Sequence, residues 1–174
     1  TLYYRHGASL EHDTGAHPEN AQRIRHIEAA LDATGWSGVQ RVEAPRAARE
    51  QLARAHGTEH IDAIERFCAS GGGMIDMDTV VSEASWEAAL RAAGAASEAA
   101  ERLLAGEAEA AFCGLRPPGH HAERSRAMGF CLFNNVAVAA EHALVSGAER
   151  VLVLDWDVHH GNGTEEIFGE SDRV

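Results

Sequence analysis

The sequence predicts an α/β fold, a parallel sheet flanked by helices, from three observations. Segments with helical periodicity alternate with short apolar runs. The run Val151–Leu154 (VLVL) has no polar alternation, as in a strand covered on both faces of a parallel sheet. Polar, glycine-rich stretches follow two of the predicted strands, at the strand ends where ligands of open α/β sheets bind.

The elements follow in order. Leu2–Tyr4 is a short first strand. HPENAQRIRHIEAAL places Ile24, Ile27 and Leu31 at helical spacing, with Pro18 near the first turn. Residues 59–69 repeat that spacing with Ile61, Ile64 and Phe67, and Gly71-Gly72-Gly73 stops the helix. A long helix is expected from about Ser85 to Leu104. Ala110–Cys113 is a short strand leading into LRPPGHHA. Asn134 or Asn135 opens a helix through Val136, Ala140 and Leu144. Arg150–Leu154 is the last strand, and DWDVHHGNG follows it.

Bulk composition sets the bounds. The 174 residues make one domain's worth of chain, 45% hydrophobic and 24% charged. With 27 acidic against 15 basic residues, the net charge of -12 argues against a surface built to hold nucleic acid or anionic membrane. Cys68, Cys113 and Cys131 form no CxxC pair and read as reduced thiols of a cytoplasmic protein. The chain opens at Thr1 without methionine and closes at ESDRV soon after a strand, so both ends are expected to be cut.

The chemistry sits in two histidine pairs. Side chains at i and i+2 of an extended segment share a face, so Asp155, Asp157 and His159 point together. Carboxylate oxygen and imidazole nitrogen both suit zinc and similar ions. Three such groups left unpartnered at a buried strand end would each cost roughly 2–7 kcal/mol. His120 and His121, in a Pro-Pro-Gly loop, suit acid–base work beside a metal, since histidine titrates near neutrality.

HPENAQRI, DMDTVVSEASWEAALRAAGAA, LRPPGHHA, MGFCLFNNVAVAA and VLVLDWDVHHGNGTEEIF together resemble the zinc-dependent histone deacetylase superfamily. Its bacterial class II-like members, acetylpolyamine amidohydrolases and acetoin-utilisation proteins are included in that resemblance. It implies the three-layer arginase–deacetylase fold, incomplete at the C-terminus, with residues 1–174 as a single deacetylase-like domain. It implies Asp157 and His159 as two of three zinc ligands, and His120 and His121 as the catalytic pair, held by Asp155 and Asn162. Some relatives carry Asp in place of Asn162. A neutral Asn supports a protonated ring less than a carboxylate does, which favours His121 as the neutral base. Asp155, with the backbone oxygens of Asp157 and His159, would form a potassium site. Gly129 and Phe130 would line an acyl-lysine channel, where an aromatic wall suits a four-carbon apolar stem. Cys131 is expected to be buried near the site and not a ligand. Asp76 or Asp78 matches a contact at the channel rim, although a turn before a helix is the simpler role. His17-Pro18-Glu19 matches a rim loop and equally a helix start.

The implied activity is zinc-dependent removal of acetyl or other acyl groups from lysine side chains or polyamines. The third zinc ligand, an aspartate, and the carbonyl-polarising tyrosine are expected beyond Val174, so the isolated chain should bind zinc poorly and turn over little. The alternatives are a non-catalytic acyl-lysine or polyamine binding protein and an arginase-like binuclear manganese hydrolase. The tandem His120-His121 and the Gly129-Phe130 wall argue against the manganese enzyme.

Overall fold

A computed structural model describes all 174 residues. Strand β1 (Leu2–Arg5) is the centre of a parallel sheet, flanked by β2 (Gln40–Glu43) and β5 (Ala111–Cys113). Alternation along β1 assigns its two faces. Leu2 and Tyr4 pack with Ala95 and Ala99 of the long helix α5 (Ser85–Leu104). Tyr3 points the other way, stacked on Phe112 and edge-on to Trp36. Helix α2 (Gln22–Ala33) ties to the sheet through the Arg5–Glu28 ion pair, at 2.8 Å. The sheet therefore lies between helical layers.

The larger apolar core lies among helices. It joins Leu52 and Ala55 of α3 (Arg49–Ala55), Ile61 and Ile64 of α4 (Thr58–Ala69), and Leu90 and Ala93 of α5. Val138 and Ala140 of α6 (Asn135–Val145) and the preceding Leu132 and Phe133 complete it. Helix α5 holds without a side-chain cap, through alanine-rich sequence and the Glu87–Arg91 pair one turn apart, at 2.7 Å. Helix α6 starts where the asparagine signal placed it: the Asn134 side chain accepts from the Ala137 N–H at 3.0 Å. Sequence reading gave no expectation for α1 (Ala8–Glu11), α3, β2 or the antiparallel hairpin of β3 (Gly72–Met74) and β4 (Val80–Ser82). The glycines that stop α4 thus also open a hairpin.

One expectation is corrected. Residues 150–154 form no strand ladder, and their backbone bond is from the Val151 N–H to the Arg173 carbonyl, at 2.8 Å. Nor are they buried on both faces. Val151 and Val153 are half-covered, while Leu152 and Leu154 are 90% and 75% exposed. An apolar groove of ≈ 360 Å³ separates this segment from Ala139, Ala140 and Ala143 of α6. No strand lies beside the run to complete a ladder. Helix α7 (Asn162–Phe168) closes the order.

Buried histidines pin the helical core. His56 donates from Nδ1 to the Glu123 carbonyl at 3.0 Å and accepts the Asn134 N–H on Nε2 at 2.8 Å. It does both only when neutral. Burial, with the neighbouring His60, lowers its pKa from 6.5 to about 4. Burial, with Arg116, does the same for His12, also to about 4, and burial lowers His60. The unfolded chain then takes up protons near pH 6.5 that the folded chain refuses until about pH 4. Stability from these groups is full above that window and lost as pH falls through it. At pH 5 we expect a loss on the order of 2 kcal/mol each for His12 and His56. Urea midpoints at pH 8 and pH 5 measure this; equal midpoints would contradict it.

Candidate active site

The first functional loop leaves β5 and runs from Gly114 to Ala122. Arg116 fixes it, with a guanidinium only 1% exposed as a residue. Its Nε and Nη2 donate to the two carboxylate oxygens of Glu19, the latter at 2.7 Å. Its Nη1 donates to the carbonyls of Ser9 and His12, at 2.6 and 3.1 Å. The remaining Nη2 hydrogen faces Thr14 Oγ1 and the Glu19 carbonyl, at 3.4 and 3.3 Å. All five donors have acceptors, so the buried charge is tolerated. Asn135 Nδ2 holds the Pro117 carbonyl at 3.1 Å.

The second loop, residues 155–163, docks on the first through backbone. The N–H groups of Gly163 and Thr164 both donate to the His120 carbonyl, at 3.0 and 3.2 Å. His120 then meets Asp155 (Nδ1 to Oδ2, 2.8 Å), and His121 meets Asn162 (Nδ1 to Oδ1, 2.7 Å). The two rings lie 4.0 Å apart between centroids, with planes at 48°. Gly161 makes the first contact feasible. A Cβ there would sit 2.6 Å from Asp155 Oδ2.

Asp157 and His159 come together although no strand carries them, while Asp155 turns to His120. Consecutive turns set this: Asp155 Oδ1 accepts the Asp157 N–H at 3.1 Å, and Asp157 Oδ1 accepts the His159 N–H at 2.7 Å. Asp157 Oδ1 lies 2.9 Å from His159 Nδ1 and 3.9 Å from His120 Nε2. His159 also approaches the His121 ring, 5.9 Å between centroids. Both aspartates are held more acidic than usual. Partial burial works against this at Asp155, but hydrogen bonds from His120 and the Asp157 N–H outweigh it. At Asp157 the His159 backbone and ring hydrogen bonds are the cause.

His120, His121, Asp157 and His159 line a cleft of ≈ 310 Å³ together with Gly129 and Phe130. Gly129 takes φ +57°, and a Cβ there would run into the His121 ring. Phe130 is itself at φ +71°, a costly conformation for an aromatic residue, held by the Thr79 hydroxyl on its N–H at 3.1 Å. His17 lies edge-on to the Phe130 ring, at 4.6 Å. Of the rim candidates, Asp78 lines the cleft, whereas Asp76 caps the β3–β4 turn by accepting the N–H groups of Asp78 and Thr79. Cys131 is buried, with its thiol pushed up to about 12 by burial. Sequence reasoning missed the Arg116–Glu19 pair, the role of Thr79 and the contact of Glu123 with Asn162. A charged residue immediately before Pro117-Pro118 and the histidines was the available signal for the first.

The donor set suits a metal in kind. Two ligands at about 2.0–2.1 Å in a zinc tetrahedron lie roughly 3.3 Å apart, near the 2.9 Å between Asp157 Oδ1 and His159 Nδ1. Their number is two, where a catalytic zinc takes three protein ligands. No group of three or more His, Cys, Asp or Glu side chains converges to hold a metal.

The histone deacetylase domain model matches residues 17–174. The chain belongs to the histone deacetylase family. It is 42% identical over 160 residues to the histone deacetylase-like amidohydrolase of Pseudomonas aeruginosa, covering 91% of this chain and 42% of that protein. A probable deacetylase of Methanothermobacter thermautotrophicus is 43% identical over 158 residues, covering 90% of this chain and 47% of that protein. The crystal structure of the HDA15 HD domain superimposes with a TM-score of 0.95 at 38% identity, over 99% of this chain and 51% of that one. The deacetylase fold expected from the sequence is therefore present. This deacetylase-family chain spans about half the length of the relatives it matches. No helix in it is long and apolar enough to cross a membrane.

Two outcomes test the site's construction. Glu19→Gln should destabilise the protein by about 3–5 kcal/mol, because Arg116 stays charged and buried without its counter-charge; denaturant unfolding measures it. Gly161→Ala should part Asp155 from His120. We expect a loss of the paired His120 ring N–H signal by NMR, with a smaller change in the unfolding midpoint than Glu19→Gln causes.

Proposed function

We propose that this chain carries the tandem-histidine half of a zinc-dependent amide hydrolase, part of one deacetylase domain. Its substrates would be acetylated or otherwise acylated lysine side chains or polyamines. The observation that carries this reading is the pairing of His120 with Asp155 and His121 with Asn162, side by side over one cleft. Both rings are held by Nδ1, so both Nε2 atoms remain for substrate and water.

The two rings are supported differently, and that divides their work. His120 Nδ1 faces a carboxylate oxygen of Asp155 at 2.8 Å. His121 Nδ1 faces the neutral amide oxygen of Asn162, and in this reading His121 takes the proton of the attacking water. A histidine of the pair returns a proton to the departing amine. Asp155 orients His120 and fixes its proton on Nδ1. Gly129 and Phe130 would flank the apolar stem of the acyl-lysine or polyamine. Asp157 and His159 would hold zinc together with a third ligand, an aspartate in the family. The chemistry a zinc ion supplies when bound is Lewis-acid activation of the carbonyl and of water. Asp155 has two of its roughly four acceptor positions in use, which leaves capacity for the potassium that the family places there, with the Asp157 and His159 carbonyls.

The test is acetate release with metal content, on the protein at its full natural length. An acetyl-lysine peptide and an acetylpolyamine are the substrates, and His121→Ala the control. Zinc-dependent release, reduced about 10²–10⁴-fold in the variant, is expected. Bound zinc without turnover favours a binding protein instead. No bound metal overturns the role given to Asp157 and His159.

A further inference from the structure

Behind Asn162 lies a group that neither motif identifies. The Asn162 amide has two ends with opposite hydrogen-bonding character, and its orientation decides what His121 meets. Its Nδ2 faces three acceptors: Glu123 Oε1 at 3.0 Å, the His121 carbonyl at 3.4 Å and the Met128 sulfur at 3.5 Å. Only the first is short, and only the first is ionised. With Nδ2 committed there, Oδ1 faces His121 Nδ1 at 2.7 Å and requires a proton on that nitrogen. His121 Nε2 is then left with its lone pair. The flipped amide would present N–H groups to Nδ1, force the proton onto Nε2, and make His121 a donor toward the cleft.

We propose that Glu123 is a positioning residue for His121, acting through the Asn162 amide to keep the ring proton on Nδ1. The inference rests on reading His121 as the proton acceptor of the reaction. Glu123 is well placed to act in this way. Its N–H donates to the Arg126 carbonyl at 2.9 Å, and its own carbonyl accepts from buried His56 at 3.0 Å. Its carboxylate forms no ion pair with an arginine or histidine, and Asn162 is its hydrogen-bond partner in the protein. The arrangement also accounts for a neutral residue at position 162. An Asp there would set two carboxylates against each other across the 3.0 Å contact.

The experiment compares ring tautomers by ¹⁵N and ¹³C NMR on histidine-labelled full-length protein, with kcat and KM measured in parallel. The original protein should show His121 protonated on Nδ1. Glu123→Leu should move it toward the Nε2–H form and lower kcat roughly 10- to 100-fold, with KM within about twofold. Glu123→Gln keeps an acceptor and should restore the tautomer and most of the lost kcat. Asn162→Asp should be impaired, and adding Glu123→Gln to it should recover activity, since an amide then faces the new carboxylate. An unchanged tautomer in Glu123→Leu would overturn the proposal. If that variant does not fold, an Asn162→Asp defect indifferent to Glu123→Gln would overturn it equally. Absence of turnover in the original protein would instead sink the hydrolase reading, while the tautomer comparison still decides the role of Glu123.

Discussion

The site depends on one buried charge. Arg116 sits where a cation is normally excluded, and it stays because Glu19 and three backbone carbonyls surround it. A buried pair of this kind adds little net stability compared with apolar packing. Its effect is geometric. The guanidinium fixes residues 9–19 against residue 116, and the next few residues of that loop are Pro117 to His121. The same contact therefore sets the rim loop bearing His17 and the loop bearing both histidines. Movement of either would leave five donors unsatisfied.

Much of the candidate site was legible in the sequence because its groups come in two short, unusual runs. The two-residue spacing of Asp155, Asp157 and His159 reappears as two consecutive turns in place of a strand, and it brings Asp157 to His159. The helices were legible where local chemistry decides them, as at Asn134 and along the alanine-rich α5. Residues 150–154 show the limit of such reading. An apolar run reports what the side chains would bury, not whether a strand lies alongside, and here Leu152 and Leu154 face outward. Arg116 with Glu19, and Glu123 with Asn162, were illegible for another reason: their partners lie 97 and 39 residues away and leave no local pattern.

The two imidazoles receive similar geometry and different electrostatics. Each Nδ1 is held within 2.7–2.8 Å of an oxygen, one ionised and one neutral. Neighbouring rings thus meet acceptors of different charge at nearly equal distance. Left-handed backbone at Gly129 and Phe130 brings the neighbouring loop up against the His121 ring. The hydroxyl of Thr79, from the hairpin turn, holds that backbone. The hairpin turn, the Gly129-Phe130 loop and the two histidines are therefore physically connected.

The central place of β1 governs how this protein can be made. Leu2 pairs with Gln40 on one side and with Ala111 on the other. A ribosome adding roughly 5–20 residues per second takes several seconds or more to supply the second neighbour. During that interval one edge of the strand has open backbone groups and Tyr3 lacks the ring of Phe112. Arg116, which locks the N-terminal loop, emerges just after β5. Sheet closure and charge neutralisation thus fall due together, which favours a late, concerted assembly step over growth from the N-terminus.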